Sequence, residues 1–467
     1  MRRSHALYTP SLLKGVQFSV IWGLVWPQML MLLCTIVINL TDTWVSGRIS
    51  ANVQAAVGLS FQVQLFLMIF AGAMGAGGMA SVSQSIGAGR WGRARNFCSL
   101  VLAGCVVLAL VLSCLVFIFS SGILALLQTP DELKDSAGYM VRVMLLGLPF
   151  FYVMQVGGTL FKAARQVVAP LIIMVLSCLV NFFGDLCFGL GCLGFPDFGM
   201  AGIIWSTVVA NAVSGILTIA VLRRADLLPG RIIPDMRWIR RAAPFLARVA
   251  LPACCNGMMW QTGYLVLYAL VAGLPEGVAA LAGLTAGNRI ESILYMPANA
   301  FMVTASILVG NYLGAGDKNS ARRTGLALFF ISGVSMSLIA GMMWPFISDL
   351  AAFFSQEQAV QKQIGYYLFF NVLVVPFTVS GLVLHGVMNG AGATVYSLLV
   401  NVIGIWGIRL PLGWYLAYNV YHGAYGVYMA MFVSMAVQTS VITWIFFRWN
   451  WASFAIHAGG MHENSSS

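Results

Sequence analysis

The chain has 467 residues, 60% hydrophobic and 8% charged, with a mean hydropathy of +0.87. A soluble globular chain carries about 25% charged residues, so this composition excludes a water-soluble domain and indicates an integral membrane protein. The net charge of +11 is no nucleic-acid footprint, because the basic residues fall in a pattern that orients membrane spans.

A spanning helix needs about 20 mostly apolar residues. Twelve such runs follow one another, at 16–46, 53–81, 97–120, 137–161, 167–190, 199–222, 250–272, 279–309, 325–347, 364–388, 395–418 and 425–447. The first, second and eighth are long enough to be tilted or bent. With the N-terminus on the cytoplasmic side, 19 of the 25 basic residues fall on that side, among them Arg2, Arg3, Lys14, Arg90, Arg93, Arg95 and the cluster from Arg223 to Arg248. The opposite connections are acidic or neutral, with Asp131, Glu132, Asp135, Asp197, Glu276 and Glu357. A multi-pass protein of the inner (plasma) membrane with both termini cytoplasmic is expected. The first run is too long for a signal peptide and has no A-x-A-like cleavage site.

In the first run Pro27 removes a backbone hydrogen bond and invites a kink. Further along, Thr35, Asn39 and Asp42 share one helix face. Asn39-Leu40-Thr41 matches a glycosylation sequon, but it lies inside a span where no transferase reaches. The glycine cluster AGAMGAGG, Ala71 to Gly78, permits close helix approach. In the fifth run Ser177, Asn181 and Asp185 follow at i, i+4 and i+8, and in the sixth Thr207 and Asn211 are four apart, each pair or triplet on one face. A carboxylate at the bilayer centre costs about 2.5–3.5 kcal/mol even on lenient scales, so intramembrane acids are functional hypotheses by default. Three polar faces from one half of the chain can only turn toward each other in lipid, which predicts one shared cavity. Asp42 and Asp185 brought together there would share a proton or coordinate Na⁺. The blander alternative is that these side chains merely tie helices together.

The second half is a copy of the first. Pro27 pairs with Pro252 and Gly58-Leu59 with Gly283-Leu284 at a separation of 225; IGAGRWGRAR (Ile86 to Arg95) pairs with LGAGDKNSAR (Leu313 to Arg322), and Pro149-Phe150 with Pro376-Phe377, at 227. Six spans per half give both halves the same orientation, the parallel-repeat arrangement of secondary transporters. The organisation expected is an N-lobe at 1–222, a basic cytoplasmic linker at 223–248, a C-lobe at 249–448 and a cytoplasmic tail at 449–467. The acids were not duplicated with the fold: Leu267 and, roughly, Leu410 stand opposite Asp42 and Asp185. Arg289 and Glu291, two apart in the eighth run, read as structural; so does His385 in the tenth, as a helix-packing donor. The nine cysteines show neither metal nor disulfide spacing. No GKS/T and no His/Cys/Asp metal cluster occurs, so neither ATP-driven transport nor an enzyme is expected, and no cofactor beyond the coupling ion.

Several segments taken in order resemble the multidrug and toxic compound extrusion (MATE) family of cation-coupled antiporters: DTWVSGRISANVQAAVGLS (Asp42 to Ser60), QSIGAGRWGRAR (Gln84 to Arg95), LVNFFGDLCFG (Leu179 to Gly189), MAGIIWSTVVAN (Met200 to Asn211) and LVGNYLGAGDKNSARR (Leu308 to Arg323). The resemblance covers nearly all of the chain outside the tails. It implies an all-α membrane protein of twelve transmembrane helices in two pseudo-symmetric six-helix bundles, V-shaped, exporting organic cations in exchange for H⁺ or Na⁺. By position, Asp42, Asn181, Asp185 and Thr207 match the family's N-lobe cation site, with Na⁺ as the metal it would take, and Pro27 matches its bending proline. Thr35, Asn39, Ser177 and Asn211 complete the expected substrate cavity. One branch of the family places a glutamate in the seventh span and an aspartate in the tenth; here those spans carry Gln261 and His385, so the N-lobe site is preferred. Expected partners are toxic organic cations and the lipid bilayer, with no nucleic acid, and a monomer is expected. The runner-up function is a flippase for lipid-linked precursors, which needs a basic cavity; the spans offer Arg142, Arg289 and Arg409.

Overall fold

The computed structural model describes residues 18–126, 129–229 and 234–456. Arg2, Arg3, Lys14, Arg231 and the tail beyond residue 456 lie outside the described residues. Among those described, the secondary structure is helical throughout, with no strand. In chain order the helices are α1 (Phe18–Ile49), α2 (Ala51–Gly87), α3 (Trp91–Ile118), α4 (Ser120–Leu126), α5 (Asp131–Ala163), α6 (Val168–Gly184), α7 (Met200–Arg224), α8 (Met236–Ala272), α9 (Gly277–Leu294), α10 (Met296–Gly314), α11 (Lys318–Met343), α12 (Ile347–Phe354), α13 (Gln358–Ala391), α14 (Thr394–Asn401), α15 (Leu410–Tyr415) and α16 (Tyr425–Arg448).

Alone or joined end to end, as in Val168–Gly189, Lys318–Phe354 and Thr394–Val420, these elements form ten spans long and apolar enough to cross a membrane, and α9 with α10, bent by 50° at Tyr295, makes an eleventh. The bend falls in the eighth apolar run, where Pro297 opens α10 and supplies no N–H to the turn before it. The seventh run lies in α8, whose apolar half is diluted by Asn256, Gln261 and Thr262. That helix also reaches back through Pro244 to Met236, so the second part of the basic stretch is helical.

The duplication is visible in packing. In the first half α5 is the hub, touching α2, α3 and α7; in the second half α13 plays that part, touching α9, α10, α11 and α16. The matched motifs IGAG and LGAG end α2 and α10 in the same way. Gly89 (φ 70°) and Gly316 (φ 81°) take left-handed conformations, and their N–H groups donate to Ile86 and Leu313 at 2.9 and 3.0 Å. The next residues, Arg90 and Asp317, donate back to Ser85 and Tyr312 at 3.0 Å each. This closure of the last helical turn works best with glycine at the left-handed position.

The chain divides into two compact units, one of residues 27–254 and one of residues 18–26 with 255–456. Both crossings fall inside long helices, at Pro27 in α1 and three residues after Pro252 in α8.

Candidate functional site

Along α6 every fourth residue is buried. Ser177, Asn181 and Asp185 are 3%, 1% and 0% exposed, while Leu176, Leu179, Phe182 and Phe183 between them face outward. Period-four spacing on an apolar helix thus yields one polar seam. At Asp185 the helix widens into a π-helical turn, Asp185–Gly189, an irregularity frequent at functional sites. The turn is accommodated by glycine: a side chain at Gly202 of α7 would run into the carbonyl of Phe188, and one at Gly184 would meet Ser206. Gly189 in turn lies against Val45 of α1 and Ile203 of α7.

The π turn therefore carries Asp185 to the place where α1, α6 and α7 meet. There the Asp42 side chain comes within hydrogen-bonding reach of both Asp185 and Asn181. Asn181 Nδ2 donates to Thr207 Oγ1 at 3.2 Å, and that hydroxyl donates to the Ile203 carbonyl at 3.2 Å. Asp42 Oδ1, Asn181 Oδ1 and both oxygens of Asp185 are buried and receive no hydrogen bond from any donor among the described residues. Among the described residues these four oxygens are thus buried with no hydrogen bond donated to them, although the Asn181 amide approaches Asp42. Two bare carboxylates in contact repel strongly where water is excluded. A proton or a hard monovalent cation between them satisfies both the charge and the oxygens.

The remaining expected residues lie around this centre at different depths. Ser177 continues the buried seam one turn before Asn181, and Asn211 is half-buried one turn beyond Thr207. Thr35 donates to its own helix at Met31 O, 3.1 Å away. Asn39 is exposed, and Pro27 is buried within an unbroken α1. Cys34 of α1 and Cys178 of α6 lie side by side near the same seam, although nothing in their sequence spacing pairs them. A larger cavity in this half, about 470 Å³, runs between α6 and α7 and is lined by Phe188, Phe198, Trp205 and Val209. These side chains are 37–56% exposed and the groove contains none of the four acceptor oxygens, so it belongs to the apolar outer surface of the bundle.

The second half holds a polar cluster that sequence reasoning did not assemble. Glu291 of α9, set aside there as structural, receives a hydrogen bond from the Tyr367 hydroxyl and lies beside Asn371, both on α13. Arg409 stands at the end of a second π-helical stretch, Val402–Arg409. Among the three basic residues in spans, Arg142 and Arg289 are exposed and Arg409 is enclosed, at 2%. His385 Nδ1 is buried with no partner among the described residues. The repeat VNxxG, at Val180 to Gly184 and again at Val400 to Gly404, aligns Asn401 with Asn181 and, five residues short of the rough match at Leu410, Ile405 with Asp185. Asn401 donates to Asn256 Oδ1 at 2.7 Å, so an amide pair replaces the acids. Among the described residues no group of three or more His, Cys, Asp or Glu side chains gathers as a metal site.

A duplicated helical membrane fold with a sheltered, unequal pair of polar clusters defines a transporter built from two repeats. A family model described as MatE matches residues 27–186 and 252–415, two segments beginning at the paired prolines, and the chain belongs to that family. A protein of Thermotoga maritima named "Probable multidrug resistance protein NorM" is 25% identical over 90% of this chain and 89% of its own length. A "FAD transporter" of Shewanella oneidensis is 25% identical over 83% and 85%. A solved structure of a MATE protein in the bent conformation superposes with a TM-score of 0.86 at 19% identity, covering 95% of this chain and 97% of that one, and shares the fold.

Proposed function

We propose that this protein exports amphiphilic organic cations from the cytoplasm by alternating access, driven by inward movement of H⁺ or Na⁺ through Asp42, Asn181, Asp185 and Thr207. The observation that carries the reading is the set of four buried, donor-less oxygens shared by Asp42, Asn181 and Asp185. A coupling ion needs a site whose charge state changes when it arrives, and two touching carboxylates supply that. The lobes at 1–222 and 249–448, joined by 223–248, would open alternately to the two faces of an inner membrane, with both termini cytoplasmic and α1 bending at Pro27. Multidrug resistance in the name of the Thermotoga relative supports a broad cargo range.

The test is efflux of a cationic dye from proteoliposomes under separately imposed pH and sodium gradients. Wild type is expected to respond to one gradient, and Asp42→Asn or Asp185→Asn to neither. Gradient-driven efflux that survives in both variants would reject the site. A lipid-linked pyrophosphate cargo has less support, because Arg409 alone of the three basic residues in spans is enclosed in its bundle.

A further inference from the structure

The cluster around Arg409 has the features of a receptor for a small anion. The guanidinium is fixed from two sides: Nε donates to Ser434 Oγ at 2.9 Å, and its carbon lies 5.7 and 5.9 Å from the ring centres of Trp260 and Tyr264. Yet Nη1 is buried and meets no acceptor among the described residues, which is costly for a charged donor. The nearest counter-charge, Glu291, acts on the guanidinium only through space and makes no ion pair with it. Its carboxylate is held by the Tyr367 hydroxyl and approached by Asn371, and Tyr367 also lies 2.6 Å from Asn288 Oδ1. Among the described residues the ion pairs are Arg95–Asp226 and Lys134–Asp131, and Glu291 and Arg409 do not make one. Both line a small cavity of about 30 Å³, together with Tyr264, Tyr367, Asn371 and Met435 among others. That is room for about two waters, or for one ion of similar size.

We propose that this cavity binds one small monovalent anion, a halide or the carboxylate end of a transported molecule, on Arg409 Nη1, with Glu291 as the like charge that limits its affinity. A planar guanidinium with fixed orientation and a free N–H suits an anion of this kind. The same guanidinium repels a metal cation, so the site is no copy of the pair in the first half. The inference stands whether or not Asp42 and Asp185 couple transport.

The melting temperature of the purified protein in detergent is measured against increasing chloride, formate and gluconate, with sodium concentration and ionic strength held constant so that any cation effect cancels. Chloride and formate are expected to raise it saturably, and gluconate, too large for the cavity, to leave it unchanged. The lower half-saturating concentration of the two identifies halide or carboxylate as the natural occupant. Arg409→Gln should lose the response. Glu291→Gln should strengthen it, lowering the half-saturating concentration about tenfold, the size expected for removing one close like charge. If Arg409→Gln does not fold, the Glu291→Gln arm decides. Equal responses to all three salts, a response that persists in Arg409→Gln, or a response unchanged or weakened in Glu291→Gln would each overturn the proposal and leave the cavity to water.

Discussion

The two halves of this protein share a fold and differ in charge. The first sets two carboxylates against each other beside one amide; the second sets one carboxylate and one guanidinium around a small cavity, and replaces the acids' positions by Leu267 and Ile405. Duplication preserved the hubs α5 and α13, the glycine-closed helix ends and the amides Asn181 and Asn401. What diverged is the ionisable chemistry at the π-helical turns. A cation suits the first arrangement and is disfavoured by the second, so the proposed cation coupling would rest on the first half alone.

The sharpest way to break that contrast is at the acids. Asp185→Asn places an amide donor beside Asp42, relieving the repulsion, so we expect an equal or higher melting temperature together with efflux at the leak rate. A variant that loses stability and transport together would point to a structural role instead. Transplanting an acid to Ile405 should not rescue it, because Arg409 follows one turn later.

Next in size is an effect on motion. Oxidising Cys34 and Cys178 to a disulfide would tie α1 to α6. If α1 bends during the cycle, copper-phenanthroline treatment should stop dye efflux, thiols should restore it, and Cys34→Ser should be immune. Undiminished efflux in protein shown by mass spectrometry to carry the bond would mean that α1 and α6 move as one body.

Smaller still is the packing of the π turn. Gly202→Ala pushes a methyl toward the Phe188 carbonyl, and overpacking of this kind costs about 1–3 kcal/mol; the loss is read as a lower denaturation midpoint. The corresponding glycine of the second half, Gly426, faces the Leu416 backbone, and Gly426→Ala should cost a similar amount without altering ion dependence.

The smallest predicted effect is at Asp317, which caps α11 by accepting from Ser320 N at 2.9 Å. Asp317→Ala should cost about 1 kcal/mol, as for other lost helix caps. The Ser320 hydroxyl and N–H hold this carboxyl below the usual carboxylate range. Its contribution is therefore present above about pH 4 and fades as pH falls further. The gap in melting temperature between wild type and Asp317→Ala should close in acid.

Much of this was legible in the chain. Spans follow from run length, and the repeat from Pro27/Pro252 and IGAG/LGAG. The seam of Ser177, Asn181 and Asp185 follows from a period of four, because a helix returns a side chain to the same face each turn. Three features were not legible. The π turn at Asp185 leaves its trace only in flanking glycines, which also mark ordinary packing. The pairing of Cys34 with Cys178 depends on the register between two helices, and Glu291 meets the Arg409 cluster only because α9, α13 and the stretch before α15 pack together, which no local spacing encodes.

The central claim is that Asp42 and Asp185 hold one exchangeable cation between them. Difference infrared spectroscopy of the carboxyl C=O region tests it directly, comparing sodium-free acidic buffer with sodium-containing alkaline buffer in wild type, Asp42→Asn and Asp185→Asn. The account predicts a protonated-carboxyl band in wild type that disappears on the switch and is absent or displaced in both variants. The same band, unchanged in both variants, would contradict it.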